Sequence, residues 1–253
     1  MNRIKNKLSE NKKILSIYFS AGFPNLNDTK SLIESLAKNN VDMIEIGLPF
    51  SDPLADGPTI QESSKQALIN GMTSEILFDQ IKDIRKTVVI PLIIMGYFNP
   101  ILQFGIKNFL EKCNKTGIDG LIIPDLPLEI YLSQYKQLFE DAGIAMIFLI
   151  TPQTSVERIQ LIDANSNSFI YMVSSSSVTG SRDNFDENQL EYFHRIANMN
   201  LKNPQIIGFG ISNKTTFQQA TKHQKGAIIG SSFIQFIANH PISSIPTFIQ
   251  NIL

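Results

Sequence analysis

Residues 45–61 read Glu-Ile-Gly-Leu-Pro-Phe-Ser-Asp-Pro-Leu-Ala-Asp-Gly-Pro-Thr-Ile-Gln. With the apolar residues just before it, the start of this run makes a buried strand over 43–48 that carries a carboxylate, Glu45. A loop stiffened by Pro49, Pro53 and Pro58 follows, and it holds two more carboxylates, Asp52 and Asp56. Desolvating a charge inside an apolar strand is costly unless the charge is paired or neutralised. A buried glutamate next to an acidic loop therefore points to two carboxyl groups with pKa values pushed apart, as acid–base chemistry requires.

The same unit, an apolar strand ending in a polar loop, repeats along the chain. Apolar, β-branched runs occur at 14–19, 43–48, 89–95, 120–124, 145–150, 169–174, 205–208 and 227–230. They are continuously hydrophobic rather than alternating, as parallel strands covered on both faces are. Helical spacing lies between them. Leu32, Ile33 and Leu36 follow Asp28 as an expected N-cap, and Leu77, Phe78, Ile81 and Ile84 follow the capping sequence Thr73-Ser74-Glu75. Leu132, Tyr135, Leu138 and Phe139 form a third apolar stripe, and Leu190, Phe193 and Ile196 a fourth. Eight such strands alternating with helices predict a (β/α)8 TIM barrel, one domain over 1–253. A doubly wound sheet fits less well, because no early G-x-G-x-x-G appears. Ile4 and Leu8 predict a short N-terminal covering helix rather than a transit peptide.

Composition excludes several classes. The net charge of −1 gives no attraction to nucleic acid or to an acidic membrane. Cys113 is the only cysteine, so there is no disulfide framework, which fits a reducing cytoplasm. No apolar run is long enough to cross a bilayer, and residues 1–13 lack a signal-peptide core. His194, His223 and His240 are expected far apart and none ends a strand; each is expected on a helix surface, and no metal site is expected. No lysine is placed at the C-terminal end of a strand, as a Schiff-base aldolase would need.

In a barrel of this kind, function gathers where strands end. Gly180, Gly210 and Gly230 follow the last three strands, and Ser231 and Ser232 open a helix. Each glycine alone would serve a tight turn. Together with Ser231 they suggest a phosphate site made of backbone N–H groups.

The run 45–61 resembles the signature of the tryptophan synthase alpha chain family. Further matches, in family order, are Ala21-Gly22-Phe23-Pro24, Met95 to Asn99-Pro100, Asp125-Leu126-Pro127, Val178-Thr179-Gly180, Gly208-Phe209-Gly210-Ile211-Ser212 and Gly226-Ala227 to Gly230-Ser231. The resemblance implies retro-aldol cleavage of indole-3-glycerol phosphate to indole and glyceraldehyde 3-phosphate, without a cofactor in this chain. It implies a beta chain, containing pyridoxal phosphate, as partner in an alpha2-beta2 heterotetramer. The resemblance further implies that Glu45 takes the acid–base role, that Asp56 holds the ring N–H, and that Tyr18, Met95, Tyr97, Asp125, Leu126, Tyr171 and Phe209 line the indole pocket. By the same resemblance Thr179, Arg182 and Asp183 are expected in a lid, and Pro49, Asp52 and Asn99 are expected to face the partner. Two features depart from the family: the serine run at 174–177, and Ile229 in place of a small polar residue. A free-standing indole-releasing lyase, a non-catalytic activating subunit and a sugar-phosphate isomerase on the same barrel stay open as rival readings. The lack of tryptophan in the chain fits an enzyme that makes it, but decides nothing.

Overall fold

A computed structural model describes residues 3–174 and 184–253. Its chain order is α1 (Arg3–Ser9), β1 (Ile14–Ser20), α2 (Thr29–Lys38), β2 (Met43–Gly47), α3 (Pro58–Ile69), α4 (Ser74–Ile81), β3 (Leu92–Met95), α5 (Phe98–Phe104), α6 (Ile106–Thr116) and β4 (Gly120–Ile122). After these come α7 (Leu128–Ile130), a π-helical turn (Tyr131–Tyr135), α8 (Lys136–Ala142), β5 (Ala145–Ile150), α9 (Val156–Asn165), β6 (Ile170–Val173) and α10 (Glu187–Ala197). The chain ends with β7 (Gln205–Gly208), α11 (Lys214–Thr221), β8 (Gly226–Ile229), α12 (Ser231–Asn239) and α13 (Ile245–Ile252).

The eight strands are all parallel and close into a barrel in sequential order. Closure pairs Ile14 with Gly226 and Ile17 with Ile229, so no strand edge is left open. Side chains alternate across each strand, which divides the core in two. Ile14, Tyr18, Met43, Ile93, Ile122, Ile147, Phe169, Ile206 and Ile228 fill the barrel interior. Leu15, Ile17, Phe19, Ile44, Ile46, Ile94 and Ile229 face the helices.

The covering helix is present. Ile4 on α1 is buried within the interior cluster, and Leu8 packs against it, so α1 closes the N-terminal end. Arg3 pairs with Asp119 at 3.0 Å and helps to pin the helix there. The opposite end is left for the loops.

Two local expectations are corrected. The third strand starts at Leu92, not at 89: Val89 is exposed, and Pro91 has no N–H to give a ladder. Asp119 Oδ2 accepts the N–H of Leu92 instead (3.0 Å). Asp28 does not cap α2, because the chain enters through a 3₁₀ turn, Leu26–Asp28, with Asp28 already helical. Its carboxylate accepts from Asn25 Nδ2 at 2.7 Å. Thr73 does cap α4, its hydroxyl accepting from the N–H of Ile76.

Candidate active site

Glu45 lies mid-strand in β2, beside Tyr18 on β1 and Ile93 on β3. Met43 points into the barrel, so alternation turns Glu45 inward as well. The side chain has no solvent exposure. Oε1 accepts from Ser16 Oγ at 3.0 Å, and Oε2 has no hydrogen-bond partner among the described residues. Burial raises its pKa to about 8, against which the Ser16 bond pulls down.

Asp56 reaches the same end of the barrel from the loop after β2, which is fastened at several points. Gln61 Nε2 donates to the Asp56 carbonyl (2.9 Å), Ser64 Oγ accepts from the Phe50 N–H (3.0 Å), and Phe50 stacks on Tyr97 at 5.2 Å. The Ala55 N–H donates to Tyr97 Oη (2.9 Å), and that hydroxyl donates to Asp56 Oδ2 (3.0 Å). Oδ1 is buried without a partner among the described residues. Burial lifts the Asp56 pKa to about 6, moderated by the Tyr97 bond. With the Glu45 pKa above 7 and that of Asp56 below it, burial favours a protonated Glu45 beside an ionised Asp56 at neutral pH, the unlike pair that acid–base chemistry can use.

Two tyrosines stand over this pair. A Cβ at Gly47 would lie 2.1 Å from Tyr18 Oη, and one at Gly208 would lie 2.0 Å from Tyr171 Oη. Only glycine leaves room for these phenols at the ends of β2 and β7. Both stay neutral far above pH 10, first because they are buried and then because the carboxylates repel their charged forms.

The other expected site residues divide. Met95 joins Tyr18 and Tyr171 in the interior cluster, and Phe209 packs edge-on against Tyr171 at 6.3 Å. Phe209 takes a left-handed φ of +72°, with its carbonyl held by Ser174 Oγ at 2.8 Å. Tyr97, expected as a wall of the slot, hydrogen-bonds Asp56. Asp125 is exposed and accepts the N–H of Phe98 at 2.8 Å, while Leu126 packs with the helix-facing layer. Both line a cavity of about 260 Å³ together with Ile147 and Leu149. Gly210 follows β7 and Gly230 follows the adjacent β8, with Ser231 the first residue of α12. Ser232 Oγ is turned away to the Ser212 carbonyl. The Ile229 side chain packs in the helix-facing layer, although its backbone adjoins Gly230. Pro49 is buried, whereas Asp52 and Asn99 are exposed. Gly180, the lid residues Thr179, Arg182 and Asp183, and most of the serine run lie outside the described residues.

Sequence reasoning did not single out Ser16, which hydrogen-bonds Glu45, or Leu149, which lines the cavity beside Asp125 and Leu126. A serine in the middle of a mostly apolar strand, with the inward parity of Ile14 and Tyr18, was the available signal for Ser16. Leu149 shares the inward parity of Ile147. The histidines need a correction: the rings of His194 and His223 lie 4.3 Å apart on the exposed surface. Among the described residues no group of three or more His, Cys, Asp or Glu is placed to hold a metal ion.

A closed parallel barrel with two buried, half-satisfied carboxyls, one mid-strand in β2 and one in the loop that follows it, has the make-up of a barrel enzyme. The profile of the tryptophan synthase alpha chain family matches residues 4–250. The chain is 68% identical over 252 residues to the tryptophan synthase alpha chain of Flavobacterium psychrophilum, and 66% identical over 252 residues to that of Flavobacterium johnsoniae, each match covering 100% of both chains. The crystal structure of tryptophan synthase subunit alpha from Legionella pneumophila superposes with a TM-score of 0.89 at 30% identity, covering 100% of this chain and 97% of that one. The A-subunit of Pyrococcus furiosus tryptophan synthase gives 0.85 at 28% identity, covering 95% and 97%. The chain belongs to the tryptophan synthase alpha chain family, whose members are lyases that cleave indole-3-glycerol phosphate in tryptophan biosynthesis.

Proposed function

We propose that Glu45 and Asp56 are the catalytic pair of this cleavage. Glu45 gives its proton to indole C3, forming the C–H bond and an indolenine cation. Asp56 accepts the ring N–H and stabilises the positive charge as it develops. The Glu45 carboxylate then takes the proton of the glycerol hydroxyl. The C–C bond breaks, its electrons return to the ring, and indole and glyceraldehyde 3-phosphate result. The observation that carries this reading is the pair of buried carboxyl oxygens, Glu45 Oε2 and Asp56 Oδ1, that lack protein partners at the barrel mouth.

Tyr18, Met95, Tyr171, Leu149 and Phe209 would hold the indole ring. Gly210, Gly230 and Ser231 would hold the phosphate with backbone N–H groups. The indole passes to a beta chain, which supplies pyridoxal phosphate, within an alpha2-beta2 assembly in the cytoplasm. Support for a partner comes from Leu54, 88% exposed in the loop that carries Asp56 and close in sequence to the exposed Asp52. Among the described residues no helix is long and apolar enough to cross a membrane.

The test is indole release from indole-3-glycerol phosphate, with and without a beta chain. Slow release alone, a large rise with the partner, and loss by about two orders of magnitude or more in Glu45→Gln and Asp56→Asn are expected. Fast release without the partner would indicate a free-standing lyase. Absence of release in both conditions would overturn the assignment.

A further inference from the structure

Ser16 is a polar residue on the inward face of β1, between Ile14 and Tyr18 of the interior cluster, and it has no solvent exposure. Register places Ser16 opposite Met43 and Tyr18 opposite Glu45, so Ser16 sits one level below the carboxyl. Its hydroxyl reaches up across the strand pair and donates to Glu45 Oε1 at 3.0 Å. On the level above, the Tyr18 phenol occupies the space over Gly47. The two oxygens of Glu45 are therefore unequal: Oε1 is tied to the frame, and Oε2 is buried with no partner among the described residues.

We infer that Ser16 is a positioning residue for Glu45, holding Oε1 so that Oε2 alone delivers the proton to the substrate and takes the second proton back. This rests on the acid–base reading of Glu45 given above. With Oε1 accepting from Ser16, the carboxylic proton resides on Oε2. When it moves to carbon, the Oε2–H bond breaks, the C–H bond forms and Glu45 is left negative. The Ser16 bond then has a charged acceptor, and such bonds are about twice as strong as neutral ones. The bond thus strengthens as the proton leaves, which favours the transition state over the ground state. Taking the hydroxyl proton at Oε2 restores the starting form, so Ser16 itself neither gains nor loses a proton.

The titratable groups sharing this end of the barrel are Tyr18 on β1, Tyr171 on β6 and Asp56 from the loop after β2. Both phenols stay neutral through the working range, and among the described residues no cation enters the balance at Glu45. Losing the Ser16 hydroxyl removes the one side-chain donor that favours ionised Glu45, so its pKa moves further up.

The experiment measures kcat and KM for indole release against pH in the complex with a beta chain, for wild type, Ser16→Ala and Ser16→Thr. In Ser16→Ala the limb on which activity falls as Glu45 ionises is expected to move to higher pH. Its kcat should drop about tenfold, the scale of one bond to a charged group, with KM little changed. Ser16→Thr keeps the hydroxyl and should return the limb toward its wild-type position. A pH titration of the Glu45 carboxyl by isotope-edited infrared spectroscopy reads the same shift without turnover. Should Ser16→Ala not fold, Ser16→Cys, a near-isosteric weak donor, should give an intermediate shift. An active wild type beside a Ser16→Ala complex with unmoved limb and kcat would reduce Ser16 to packing and overturn the inference. An inactive wild-type complex would instead remove the acid–base reading of Glu45, and this inference with it.

Discussion

Glu45 bears a cost that can be measured without substrate. Its pKa rises from 4.5 to about 8 on folding because burial penalises the charged carboxylate. The folded state therefore binds the proton more tightly than the unfolded state does. The protein pays nothing for this group below the unfolded value, and loses stability as pH climbs from there to the folded value. Glu45→Gln removes the titration while keeping the shape. Its unfolding free energy relative to wild type should grow by about 1.4 kcal/mol per pH unit between the two values, then level off above pH 8. Urea unfolding of both proteins from pH 5 to pH 9 checks this, and a constant difference would mean that Glu45 is not held neutral. Asp56 contributes the same sign over a lower window, from 3.8 to about 6. At this scale the burial of Glu45 was legible in the sequence, because charge inside an apolar strand is conspicuous. The sequence could not show Ser16 as the partner of Glu45, since that contact joins two strands and depends on register.

The loop after β2 and the end of β3 work together through one hydroxyl. Tyr97 receives the Ala55 N–H and donates to Asp56, so the conformation of the loop and the charge state of its aspartate are linked. Tyr97→Phe keeps the ring that stacks on Phe50 but removes both bonds. Asp56 loses a donor to its charged form, so its pKa should move above the present value of about 6. The limb of the kcat/KM profile on which activity appears as Asp56 ionises should shift to higher pH, with a loss of about tenfold at pH 7 that partly recovers as pH is raised. A pH-independent loss would show that the ring position alone matters. Elements of this kind were legible in outline. Every expected strand exists, because continuous hydrophobicity marks strands covered on both faces. What hydrophobicity does not reveal is facing. Ile229, a departure from the family in the sequence, packs with the helix layer, and its type alone does not show this because a strand buried on both faces has no polar side to orient it. Val89 was drawn into β3 by its type, although the strand begins only after Pro91, at Leu92.

On the scale of the whole molecule, closure of the barrel makes a stiff frame, and both proposed catalytic carboxyls come from one continuous segment of it, β2 and its loop. A partner that holds this loop would act on Asp56 without touching Glu45. Leu54 is the feature of the loop best suited to be held, because it is 88% exposed while Pro53 beside it is buried. Covering a leucine side chain is worth about 1.5–3 kcal/mol, or roughly one to two orders of magnitude in a dissociation constant. Leu54→Ser should therefore weaken binding of a beta chain by about that factor and lower the ratio of indole release with the partner to release without it. Thermal unfolding should be almost unchanged, because so exposed a side chain has little packing to lose. Titrating the beta chain by calorimetry against wild type and variant, with the rate ratio read alongside, checks both consequences. If affinity and ratio both held at wild-type values, the partner would have to engage another part of the barrel mouth, and the link from Leu54 through Ala55 and Tyr97 to Asp56 would not carry the activation.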